Sequence, residues 1–343
     1  MGGVAKPGGP TIADVAQLAG VSSQTVSRVS TGAQNVRPET RRRVLDAMSK
    51  LGYSPNNAAR SLRIGSFGTL GLIAHRYERT GEVLTTGGVI AAAEREGYTV
   101  SFLSIETQDE EHWQQAAHRI SNQAIDGLII VRAEDATPDS LTLPVGLPIA
   151  VSDSRLVAHY PAVTADQLTG SIDATRHLLD LGHATVHHIS GPADSEPAQL
   201  RMAAWRRCLA MSGIAPPEPL EGDWTPRSGY ELGQQLARDP RLTAVYAAND
   251  ETAVGLIRAL HEAGLRVPQD VSVVGFDDIA LAEYLSPPLT TVKQDFPKIG
   301  AELVRLVLEQ IRSTGAPPMA RQRTVVPTEL IVRSTTAPPA PGR

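Results

Sequence analysis

Two sets of side chains in this 343-residue chain are of a type and spacing suited to directional hydrogen bonding. The first lies in VSSQTVSRVS, Val21 to Ser30, where Ser23, Gln24, Ser27 and Arg28 alternate with the apolar Val26 and Val29 at helical spacing. Serine and threonine are indifferent helix formers. They are short enough, however, to bring a helix close to a flat polar surface, and Gln and Arg make paired contacts to adenine and guanine edges. The second set follows apolar runs: His75 after TLGLIA, Asp153 after PIAV, Asn249-Asp250 after TAVYAA and Asp277-Asp278 after VSVVGF. Arg201 lies beyond TVHHIS and a Gly-Pro loop, and Trp224 lies in the Gly/Pro-bearing stretch GDWTPRSGYELG. Planar donors and acceptors with one aromatic face suit a polyhydroxylated ligand, whose hydroxyls need partners and whose C–H face needs a ring.

The elements that position the first set read as three short helices. Thr11 is placed to cap Ile12 to Ala19, Gly20 to turn the chain, and Ser22 to cap the helix that carries Gln24. Pro38 opens a third helix, with Val44, Leu45 and Met48 expected inside and Gly52 ending it. Helix, glycine turn and helix is the spacing of a helix-turn-helix, whose second helix enters the major groove. YSPNNAARSLR, Tyr53 to Arg63, follows as a segment of about eight helical residues at most, too short for a stable isolated helix. It suits either an ordinary linker or a hinge that becomes helical only on DNA and presents Leu62 as a minor-groove wedge. The second set is carried by near-continuous apolar runs in two series, TLGLIA, YTVSFLS, DGLIIV and PIAV, then TVHHIS, TAVYAA and VSVVGF. Such runs, alternating with helical stretches, predict α/β architecture with two doubly wound parallel-sheet subdomains, their ligand site beyond the carboxyl ends of the strands.

Charge divides the chain in the same place. Residues 1–63 hold nine Lys/Arg against three acids, a net +6, so the total of −5 leaves −11 on the other 280 residues. A basic head on an acidic body is the footprint of a nucleic-acid-binding module joined to something else. One cysteine, Cys208, suits a reducing compartment. The absence of a signal-like or 18-residue apolar run predicts a cytoplasmic protein without a membrane span.

Catalysis is not expected. The sequence has no GxxxxGK[ST], GxSxG, HExxH or GxGxxG. Asp277 and Asp278 leave a strand on opposite sides, which suits one ligand contact and one cap rather than a metal pair. His187 and His188 alternate faces, so with His183 they make a poor metal site, and no neighbouring base activates Cys208. Neither a metal nor a cofactor is expected. A transport receptor of the same core architecture is the rival reading, but it has no use for a basic helix-turn-helix.

VAQLAGVSSQTVSRV, VRPETRRRV and LGYSPNNAARSL resemble the DNA-binding head and hinge of the lac repressor family. HLLDLGHATVHHISGP, LRMAAW, GDWTPRSGY and VSVVGFDDIALAEYLSPPLTTVKQDFPKIG resemble its sugar-binding core, so the likeness runs from Thr11 to Thr336. The resemblance implies Ser23, Gln24 and Arg28 as base-reading residues, with Thr11, Ser22 and Ser27 completing the DNA-facing set and Asn56, Ala59 and Leu62 in the hinge helix. It implies Asp153, Arg201, Trp224, Asn249, Asp277 and Phe296 as effector contacts, with His75 on the wall. Arg79 and Glu82 make that wall bulkier and more charged than the family pattern, and Thr31 departs from it in the head. The expected partners are near-palindromic double-stranded operator DNA, a small sugar and a second copy of the chain, because IVRSTTAPPAPGR lacks a heptad helix for larger assemblies. The implied organisation is a tail over 1–10, a head over 11–54, a hinge over 55–65, a core over 66–336 and a tail over 337–343. The core is expected to divide into 66–165 with 294–324 and 166–293 with 325–336.

Overall fold

The computed structural model describes residues 9–30, 33, 35–53, 66–75, 79–105, 115–116, 119–120, 124–131, 143–144, 146–152, 155–313 and 322–340. It divides into two compact units, 1–67 and 68–343. The expected hinge residues Asn56, Ala59 and Leu62, and also Thr31 and Asp153, lie outside the described residues.

The first unit has three helices, α1 (Ile12–Ala19), α2 (Ser23–Ser30) and α3 (Pro38–Leu51). Thr11 and Asp14 cap α1 reciprocally, each side chain answering the other residue's backbone N–H. Ser22 Oγ accepts the Thr25 N–H at 3.2 Å and so caps α2. Val15, Ala16, Ala19, Val26, Val29, Val44, Ala47 and Met48 form the core of this unit. Leu45 is a correction: it is 50 % exposed, because its neighbours Val44 and Met48 take the inward face of α3.

The second unit holds two six-stranded sheets. The first runs in the order β11 (Arg323–Val326), β5 (Ala162–Ala165), β4 (Ile149–Ser152), β3 (Gly127–Val131), β1 (Thr69–His75), β2 (Thr99–Ile105), every pairing parallel. The second runs β12 (Glu329–Ile331), β10 (Thr290–Lys293), β9 (Ser272–Asp277), β8 (Ala244–Ala247), β6 (His187–Ser190), β7 (Leu220–Glu221), parallel except for β12. All seven apolar runs form strands. Their central members are buried along their length, as strands covered on both faces must be.

Helices α4 (Thr80–Arg95) and α9 (Phe296–Arg312) cover the first sheet, while α5 (Gln167–Asp180), α6 (Glu196–Met211), α7 (Pro226–Leu236) and α8 (Asp250–Glu262) cover the second. The chain crosses between the two lobes three times: from β5 into α5, from β10 into α9, and from β11 into β12. Each lobe contains one helix pair that touches backbone to backbone. A Cβ on Gly300 of α9 would sit 2.4 Å from the Gly88 carbonyl carbon of α4, and one on Gly255 of α8 would sit 1.8 Å from the Pro226 carbonyl oxygen of α7. At the second contact only a hydrogen fits. Gly255→Ala is therefore expected to force α7 and α8 apart and cost about 3 kcal/mol, read as a lower urea midpoint of the full chain with far-ultraviolet dichroism retained.

Candidate nucleic-acid interface and ligand cleft

In the head, burial of Val26 and Val29 fixes which face of α2 is turned outward. Ser23, Gln24 and Arg28 are exposed on it, and Ser27 is half-buried at its edge. Arg37, just before α3, and Arg42, Arg43 and Lys50 on α3 are also exposed. Thr11 and Ser22 are exposed but are occupied by their caps, which leaves them at helix N-termini where backbone N–H groups attract anions. Small polar tips for base edges and cations for phosphates are the two components of a DNA-reading helix.

The second site lies between the lobes at the carboxyl ends of their strands. Arg79, Thr80 and Gly81 from the start of α4 face Arg201, Trp224, Asn249, Glu251 and Asp277 from the other lobe. Arg201 organises it. This side chain is 1 % exposed, with its guanidinium 3.7 Å from the Phe276 ring centroid and 5.4 Å from that of Trp224. Nε donates to Gln167 Oε1 at 2.8 Å, one terminal nitrogen donates to the Ala248 carbonyl, and the other lies 3.5 Å from Asp277 Oδ1. Gln294 Nε2 donates to the same Asp277 oxygen at 2.6 Å, and Gln167 Nε2 donates to Gln294 Oε1 at 3.3 Å. Four side chains thus close a ring. A buried guanidinium requires such partners, since an unpaired buried charge costs several kcal/mol.

Asp277 is held in that ring by a strained turn. It has φ 116° and Asp278 has φ 54°, conformations that non-glycine residues adopt only when the surroundings impose them. Asp250 imposes this one, accepting the Ile279 N–H at 2.9 Å and the Thr291 hydroxyl at 2.5 Å. Burial, with the nearby Asp277 carboxylate behind it, holds the Asp250 carboxyl well above the usual carboxylate range. Asp277 and Asp278 do point apart: Asp278 pairs with Arg333 at 2.7 Å. That ion pair, rather than a helix cap, is its role here. Trp224 also sits at positive φ, 74°, and its ring occupies the space that a Cβ on Gly191 would take. Its Nε1 is buried with no hydrogen-bond partner among the described residues. Asn249 caps α8 by accepting the Thr252 N–H at 3.0 Å, while its amide donates to the Trp224 carbonyl and to Glu251.

The structure therefore brings together Arg201, Trp224, Asn249 and Asp277 of the residues expected from sequence. His75 ends β1, its side chain outside the described set. Phe296 is 5 % exposed and packs in the core of the first lobe. Gln167, Gln294, Glu251 and Thr80 were not anticipated. Gln167 and Gln294 follow the short strands AVTA and TTVK, which the apolar-run criterion does not detect.

Among the described residues no group of three potential ligands could hold a metal. The three histidines face different surroundings: His183 bonds Thr243, Ser272 and the Ala337 carbonyl, His187 faces Asp239, and His188 stacks on Tyr246. Cys208 is buried, which raises its thiol pKa. No helix among the described residues is long and apolar enough to cross a membrane.

Comparison with known proteins agrees with this geometry. Residues 11–56 match the model of bacterial regulatory proteins of the lacI family, and residues 175–336 match the periplasmic binding protein-like domain. The chain is 33 % identical over 331 residues to the HTH-type transcriptional repressor PurR of Haemophilus influenzae (strain PittEE), covering 95 % of this chain and 98 % of that one. It is 34 % identical over 335 residues to the lactose operon repressor of Escherichia coli (strain K12), covering 96 % and 91 %. Among solved structures it is similar to a lac repressor dimer bound to operator and the anti-inducer ONPF (TM-score 0.85, 32 % identity, 96 % and 100 % covered). It is also similar to a complex of the transcriptional regulator CelR with cellobiose (TM-score 0.70, 29 % identity, 95 % and 99 % covered).

Beneath Arg201, His188 donates from Nδ1 to the Tyr246 carbonyl at 2.8 Å, and burial lowers its pKa from 6.5 to about 4. Above pH 6.5 the ring is neutral folded or unfolded. Between 6.5 and 4 only the unfolded chain takes the proton, so stability falls as pH falls, by about 2 kcal/mol at pH 5. Urea unfolding followed by the fluorescence of Trp205, which packs on His188, is expected to show this loss, and His188→Phe is expected to reduce it.

Proposed function

Because the chain belongs to the lacI family of bacterial regulatory proteins, we propose that it is a dimeric transcriptional repressor released from its operator by a small sugar or glycoside. The observation that carries the effector half is the convergence of Arg201, Trp224, Asn249 and Asp277 on one interlobe cleft. Together they offer charged and neutral hydrogen-bonding groups beside an indole face, the set that vicinal hydroxyls and a sugar ring require. The DNA half is supported by the exposed Ser23, Gln24 and Arg28 on α2 and by the exposed cations of the same basic unit.

Two heads on a two-fold dimer read the half-sites of a near-palindromic operator, with Gln24 and Arg28 at base edges. The hinge segment carrying Asn56, Ala59 and Leu62 inserts its leucines at the operator centre. A ligand between the lobes favours one lobe arrangement over the other, and its differential affinity for the two sets how far operator binding shifts. The protein works in the cytoplasm, where its DNA is. The similarity to a lac repressor dimer on operator and to a cellobiose-bound regulator supports this reading, with Asp153 and His75 as further wall residues.

A thermal-shift panel of neutral sugars including cellobiose and ribose tests the effector half. A saturating ligand raises the midpoint of the wild-type core transition, and Arg201→Ala or Asp277→Asn removes the response. A panel with no shift for the wild type contradicts it. For the DNA half, Gln24→Ala and Arg28→Ala are each expected to weaken binding to an operator selected from random duplexes by about 1–3 kcal/mol. Loss of base preference at one half-site position is expected with each.

A further inference from the structure

One side chain of the cleft joins the two lobes directly. Glu251, in the first turn of α8, accepts the Asn249 amide through Oε2 at 2.7 Å, and through Oε1 it accepts the hydroxyl of Thr80. Thr80 is the first residue of α4, on the opposite lobe. A carboxylate in the first turn of α8 is favourable for that helix alone. Helix stabilisation does not account for the reach across the cleft to Thr80.

We propose that Glu251 is an effector-reading residue that latches the two lobes together across the cleft, with the Thr80 hydroxyl occupying the position an effector hydroxyl takes when it binds. The inference rests on the reading of this cleft as a sugar site and deepens it. The exchange is chemically conservative: a carboxylate that accepts from the Thr80 O–H accepts equally from a ligand O–H. Entry of the ligand breaks one interlobe hydrogen bond and remakes it through the ligand. The Asn249 amide stays on Glu251 throughout and keeps the carboxylate aimed into the cleft. On this surface Glu251 and Asp277 are matched by Arg79 and Arg201, so the described lining carries no net charge, which suits a hydroxyl-rich neutral molecule.

Two substitutions separate this role from ordinary structural support. Thr80→Val removes the competing donor while nearly preserving shape, and Glu251→Ala removes the acceptor. Trp224, on the cleft wall and 6 % exposed, reports opening without any ligand. In the full chain, both variants are expected to raise acrylamide quenching of the Trp224 signal about twofold, isolated by subtraction of a Trp224→Phe control. Unchanged quenching in both variants overturns the latch. Titration with cellobiose and ribose is then expected to move in opposite directions: tighter for Thr80→Val, and about tenfold weaker for Glu251→Ala. Shifts of the same sign in both variants also overturn the proposal. If neither probe nor any sugar of the panel binds the wild type, the sugar reading fails, while the quenching result still decides the latch.

Discussion

The buried guanidinium of Arg201 is the constraint on which the cleft depends. A charge that is 1 % exposed must be answered on every side. The answers come from an aromatic face at Phe276, a carbonyl at Ala248, a carboxylate at Asp277 and an amide at Gln167. To supply them the chain accepts two adjacent non-glycine residues at positive φ and a carboxyl, Asp250, buried beneath them. A site under this much internal constraint is already organised before a ligand arrives. That lowers the ordering cost of binding and makes the site selective for molecules whose hydroxyls fit the existing donors and acceptors.

The same constraint reaches the connections between the lobes. Gln167 opens α5 directly after the chain leaves β5, and Gln294 follows β10 just before α9 begins. Two of the three interlobe crossings therefore contribute an amide to the ring that holds Arg201 and Asp277. An effector that takes up a hydrogen bond from either charged residue changes the load on both crossings. This gives a physical route from occupancy to lobe arrangement in which the elements concerned are in direct contact. Backbone-close helix packing, Gly300 against Gly88 in one lobe and Gly255 against Pro226 in the other, leaves little room for rearrangement within either lobe.

Much of this was legible in the sequence because it follows from local chemistry. Thr11, Ser22, Gly20 and Pro38 mark the head's helices through caps and turns whose geometry each residue type dictates. The seven apolar runs mark their strands because sheets covered on both faces need unbroken hydrophobic sequence. Asp277, Asn249 and Arg201 were visible as polar groups at strand and helix ends. Non-local features were not legible. Leu45 has the composition of a core residue, and only the packing of α3 shows it exposed. Nothing in the local sequence of Phe296 shows that it packs in the first lobe's core. Gln167, Gln294, Thr80 and Glu251 have ordinary sequence surroundings. Their roles exist only because chain crossings and facing helix ends bring them to one point.

On the proposed reading, ligand occupancy of the cleft and operator occupancy of the head are thermodynamically linked. Linkage requires that a ligand and an operator alter each other's affinity by the same factor. The most direct measurement is a reciprocal titration of the full chain, using a selected operator duplex and the sugar with the largest thermal shift. Operator affinity is determined with and without saturating sugar, and sugar affinity with and without saturating operator. Sugar is expected to weaken operator binding, operator to weaken sugar binding, and the two factors to agree at about tenfold or more. Affinities that are independent of one another would contradict the linkage.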